Sequence, residues 1–146
     1  MKKIFKKFLA SILAVVMTMA LATTAFAAKT SDTKTKSTSE FGTLTGNVVY
    51  SGKFDGRKEV SFGTQISKLS STSINTTLHS RVDIHDYKTG KYLDYDLAPV
   101  ATNKTYTGYY WQGHSSAAND NLISGFGAHE ARRSGSAVVY TEIYGF

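Results

Sequence analysis

The chain has 146 residues, no cysteine, one proline and a formal net charge of +6. Zero cysteine excludes disulfides, thiolate catalysis and cysteine-based metal sites. The charge does not make a nucleic-acid binder. Lys2, Lys3, Lys6 and Lys7 precede Ala28 with no acid among them, and from Ala28 onward 13 basic side chains face 11 acidic ones, with no basic run longer than Arg132-Arg133. That is too little clustering to hold a phosphate backbone.

In chain order, residues 1–27 read as a cleaved signal peptide. The four lysines form a positive n-region, Phe8 to Ala22 is apolar, and Ala25-Phe26-Ala27 offers small residues for cleavage after Ala27 or Ala28. An uncleaved anchor is the alternative, because Phe8 to Ala28 is long enough to span a bilayer. With cleavage, the membrane is met only through the signal peptide. The expected location is therefore extracellular, and export without disulfides suits a Gram-positive bacterium. Residues 28–40 follow, and Lys29 to Glu40 contains no apolar side chain. With nothing to bury, this Ser/Thr/Lys-rich segment is expected to be a flexible leader.

Residues 41–146 have the size of one domain, and period-two alternation dominates them. Leu44, Gly46, Val48 and Tyr50 alternate first, then Val60, Phe62, Thr64 and Ile66. The cleanest strand runs from Ile74 to Ile84, with Leu78, Ser80, Val82 and Ile84 on one face and His79, Arg81 and Asp83 on the other. A half-solvated antiparallel sheet produces this pattern. Tyr87 to Tyr92 reads as a hairpin with Gly90 at positive φ, leading into Tyr92 to Leu97, which Pro99 ends. Thr105 to Gln112 and Leu122 to Arg132 are two further strands. In the latter, Gly125, Gly127 and Ala128 around Phe126 imply close backbone approach. Ala137 to Phe146 is the last strand, and its apolar residues on both faces suggest a central position. The fold class is all-β: a single antiparallel β-sandwich of about seven strands, with a small closed β-barrel as the alternative.

Three constellations carry candidate chemistry. Tyr109, Tyr110 and Trp111 form an aromatic segment able to stack on a sugar ring or a protein partner, although a lone tryptophan is more often core. His79, Asp83 and His85 share one strand face, and imidazole and carboxylate there are the donors a divalent metal takes; the bland reading pairs Asp83 with Arg81. Asp94 and Asp96 share a face, and paired carboxylates about 5 to 9 Å apart are what glycoside hydrolysis asks for, although such pairs usually come from separate strands across a cleft; the bland reading is a solvated strand whose acids discourage edge-to-edge pairing. No Gly-x-Ser-x-Gly elbow or phosphate-cradling glycine loop is present. The expectation is a small secreted, non-enzymatic binding or interaction protein that needs no cofactor. Its expected partner is a cell-wall glycan or an extracellular protein, not nucleic acid. The alternatives are an antimicrobial or toxin-like protein and a small glycan hydrolase using Asp94 and Asp96.

Overall fold

A computed structural model describes residues 27–146, so the signal-peptide reading lies outside the described residues. Among the described residues nine strands form two antiparallel sheets. β1 (Ser31–Thr38), β2 (Gly42–Phe54), β3 (Arg57–Ile66) and β7 (Tyr106–Gln112) make one, in that spatial order. The other has β5 (Tyr92–Leu97), β4 (Thr77–Asp86), β8 (Ile123–Arg132) and β9 (Ser136–Tyr144) in that order, with two-residue β6 (Ala101–Thr102) also on β4. The sheets pack face to face as a β-sandwich and do not close into a barrel. Local chemistry fixes the hairpins. Asp55 and Gly56 both take positive φ (50° and 74°), which gives the two-residue turn whose twist matches its strands. Gly90 adopts the positive φ expected of it, at 69°.

Three expectations need correction. Ser31–Thr38 is not a flexible leader. It is a strand in register with β2 from Ser31↔Val49 to Thr38↔Gly42, held by backbone bonds rather than by burial. The strand foreseen from Ile74 starts only at Thr77, and Ile74 is half exposed in the preceding loop. The last strand is not central but the edge of its sheet. Lys29 and Tyr144 exchange two backbone hydrogen bonds along that edge (3.0 and 2.9 Å), and Asp32 Oδ2 accepts the Glu142 N–H at 3.0 Å. Burial alone would raise the Asp32 pKa; the Lys29 and Glu142 hydrogen bonds, with the charges of Lys29 and Lys34, hold it below the usual carboxylate value.

The core has two apolar halves. Val48, Phe62, Val82, Ile123 and Ile143 belong to one, and Leu44, Ile66, Leu78, Ala131 and Val139 to the other. Between them each of five strands places a small or polar residue inward: Gly46 on β2, Thr64 on β3, Ser80 on β4, His129 on β8 and Thr141 on β9. The His129 ring is fully buried, with Ser80 Oγ 3.0 Å from Nδ1 and Thr141 Oγ1 2.7 Å from Nε2. Both hydroxyls can donate or accept, so the neutral ring is satisfied in either tautomer. Burial pushes its pKa down to about 4. Glycine makes the space: a Cβ on Gly46 would fall 2.3 Å from the ring, and one on Gly127 2.5 Å from Nε2. The close approach expected around Phe126 is thus met at Gly127.

Candidate binding face

The expected aromatic segment divides. Trp111 points inward from β7 opposite Val60 and is fully buried, its Nε1–H donating to Asp94 Oδ2 at 3.0 Å. It cannot stack on a ligand from there. Tyr109 and Tyr110 are nearly half exposed and stack on each other at 5.0 Å between centroids.

His79, Asp83 and His85 do lie on the outward face of β4, but they do not converge. Arg81 Nε donates to Asp83 Oδ1 at 2.7 Å, the pairing that the bland reading describes. His85 donates through Nδ1–H to the Gly90 carbonyl at 3.1 Å, while His79 lies against Glu130 of β8. Among the described residues no three His, Cys, Asp or Glu side chains assemble as a metal set.

Asp94 and Asp96 occupy alternate positions of the edge strand β5 rather than opposite walls of a cleft. Asp94 Oδ1 accepts the Tyr95 N–H and Asp96 Oδ1 the Leu97 N–H, both at 2.8 Å. Since Ala98 donates to Ser80 on β4, the alternation turns the Tyr95 and Leu97 N–H groups toward the open edge. The carboxylates cover donors that a foreign strand would otherwise use. The second oxygen of Asp94 serves Trp111 and lies 3.2 Å from His114 Nδ1, tying β5 to β7 and the loop behind it.

The outer faces of the two sheets differ in how their aromatic residues are spread. On β2 and β3 the outward residues are mostly polar, among them Thr43, Thr45, Asn47, Ser51, Ser61 and Gln65. The exposed aromatics of this face, Tyr106 and Tyr110, lie on its edge strand β7. The other sheet is aromatic outside. One cross-strand row runs Tyr140, Ala128, Arg81, Leu97 and the next Glu142, Phe126, Asp83, Tyr95. Tyr140 is 71% exposed, Leu97 52%, Tyr92 48%, Tyr95 46% and Phe126 42%. A cluster of this size on one face is more than the scattered apolar residues of an ordinary surface.

Tyr95, Tyr92 and Phe126 are held in place by their neighbours. The Arg81 guanidinium lies 4.7 Å from the Tyr95 centroid while bonded to Asp83. The His85 ring meets Tyr92 and Phe126 edge-on at 5.6 and 5.2 Å. Desolvation, and then the nearby carboxylates of Asp83 and Asp94, raise the Tyr92 pKa, so its phenol stays a donor. Two depressions mark the face. One, of about 450 Å³, lies among His79, Arg81, Leu97, Val100, Glu130 and Tyr140. The other, of about 330 Å³, lies among His85, Tyr87, Phe126, Glu142 and Tyr144. Rigid apolar rings beside a few fixed polar groups are the ordinary make-up of a ligand surface.

Compared with models of known protein families and with curated protein sequences, the chain matches none. Sequence reasoning missed Phe126, Tyr140, Tyr95 and Tyr92 as one group because β5, ending at Leu97, lies well before the β8-β9 hairpin, which opens at Ile123, and meets it only through β4. The available signal was the last strand, whose apolar residues on both faces mark an outward aromatic surface rather than two-sided burial.

Proposed function

We propose that the protein is an exported, non-enzymatic binding module and that the outer face of the β5-β4-β8-β9 sheet docks on a cell-wall glycan. The observation carrying this reading is the spread of Tyr140, Phe126, Tyr95 and Tyr92 over three strands around Arg81 and His85, whereas the exposed Tyr106 and Tyr110 of the other exterior lie on the single edge strand β7. Aromatic rings lying open on a sheet offer flat apolar area to the C–H face of a sugar ring. Arg81, Glu130 and His79 beside them supply fixed donors and acceptors for hydroxyl groups. Export is supported by the lysine-rich n-region and the apolar stretch behind it.

The test is depletion of the purified protein by isolated Gram-positive cell walls. Tyr140→Ala and Phe126→Ala, both at exposed positions, are expected to weaken retention about tenfold or more each, equivalent to about 1.4 kcal/mol. Tyr110→Ala, on the other sheet, is expected to be retained as wild type. Wild-type protein that stays in solution, or equal retention of all four proteins, contradicts the proposal.

A further inference from the structure

Apart from the two-residue β6, four strands form the edges of the two sheets, and three are guarded. β5 carries Asp94 and Asp96 folded over its free N–H groups, β1 carries Lys34 and Lys36, and β9 has Lys29 and Asp32 bonded along its edge. Any of these meeting its own copy would set like charges against each other or first have to break bonds. β7 differs. Its sequence YTGYYWQ holds no charge and no proline.

The pairing of β7 with β3 shows which backbone groups are free. Gly113 donates to Lys58 and Ile66 to Thr105, so along β7 the peptide groups of Thr107, Tyr109 and Trp111 face β3. Those of Tyr106, Gly108, Tyr110 and Gln112 point to the open edge, and among the described residues they make no hydrogen bond. Tyr109 and Tyr110 stack on each other around this edge although strand neighbours leave opposite faces, so the two rings must swing apart to admit a second strand.

We propose that two copies of the chain associate through β7, antiparallel about a two-fold axis at Tyr109, joining their four-stranded sheets into one of eight strands. Only this register suits every free group. Tyr106 meets Gln112 of the second copy and Gly108 meets Tyr110, so all four edge-facing peptide units on each strand exchange bonds. Tyr110 of the second copy falls opposite Gly108, beside the Tyr106 ring that already lies across that glycine, its hydroxyl 1.9 Å from where a Cβ would sit. An aromatic residue across from an edge glycine is a favourable sheet pair. The two copies of Tyr109 become direct neighbours in a non-hydrogen-bonded pair, and no like charges oppose each other.

Sedimentation velocity from about 10 μM to about 1 mM, a range that captures weak association, tests this. Wild type is expected to move from monomer to dimer. Tyr109→Lys and Tyr109→Glu, each placing like charges at the two-fold axis, are expected to stay monomeric alone and to form a dimer when mixed in equal amounts. Amide exchange of the wild type needs no variant: Gly108, Tyr110 and Gln112 should become protected as concentration rises, with Lys34 and Leu97 unchanged. A wild type that is monomeric throughout, variants that dimerise alone, a mixture that does not dimerise, or protection appearing elsewhere overturns the proposal. An extended peptide as the true occupant of this edge would give the first of these results.

Discussion

Replacing Trp111 by alanine is expected to remove a large part of the stability of the domain. The indole is fully buried in the larger core half with Val60, Phe62, Val82 and Ile84, and truncating such a side chain costs about 3–5 kcal/mol. Total stabilities of domains this size run to only about 5–15 kcal/mol. The Nε1–H bond to Asp94 adds a second loss, because it joins β7 to β5 across the open side of the sandwich. Trp111→Phe separates the two contributions by keeping most of the apolar volume and deleting the donor. It is expected to cost about 1–2 kcal/mol. Urea unfolding followed by far-UV circular dichroism measures both, and a Trp111→Ala protein with the wild-type midpoint refutes this account of the core.

Acid should destabilise the fold through His129 well before the carboxylates titrate. The ring has a pKa of about 4 in the folded chain, against the ordinary 6.5 once unfolded. Between those values the unfolded chain binds a proton that the folded chain does not, so stability is complete above pH 6.5 and falls as pH drops toward 4. At about 1.36 kcal/mol for each pKa unit, the loss approaches about 3 kcal/mol. The physical cause is burial: Thr64, Ser80 and Thr141 offer neutral hydroxyls, and the opposing pull of the Gly63 backbone and the Asp32 charge is too weak to offset it. Asp32, Glu40 and Asp86 have pKa values already below the usual carboxylate range, so their contributions are lost only at lower pH. Urea midpoints at pH 7 and pH 4.5 should therefore separate in wild type and nearly coincide in His129→Gln. The same separation in both proteins would place the acid sensitivity elsewhere.

Much of the sandwich was legible because inward positions repeat every second residue. Leu78, Ser80, Val82 and Ile84 are buried as the alternation requires, and so are Leu44, Gly46 and Val48 on β2 and Val60, Phe62, Thr64 and Ile66 on β3. β1 is not legible from burial, because its stability lies in the backbone ladder. Its alternation of Thr33 and Thr35 with Asp32, Lys34 and Lys36 is a polar edge-strand pattern. The polar layer escaped for another reason. Gly46, Thr64, Ser80, His129 and Thr141 each look unremarkable alone, and only strand pairing brings them to one level. The same holds for the candidate face, whose rings arrive from β5, β8 and β9. Trp111 is buried, as a lone tryptophan more often is, and β7 packing against the other sheet sets its inward aim.

Amide chemical-shift mapping with soluble cell-wall glycan fragments tests the central claim most directly. The account predicts shifts concentrated at Arg81, Tyr95, Phe126, Ala128 and Tyr140, with Thr45, Asn47 and Ser61 on the opposite exterior unmoved. Shifts confined to β2, β3 or the β7 edge, or none at saturating fragment, would contradict it.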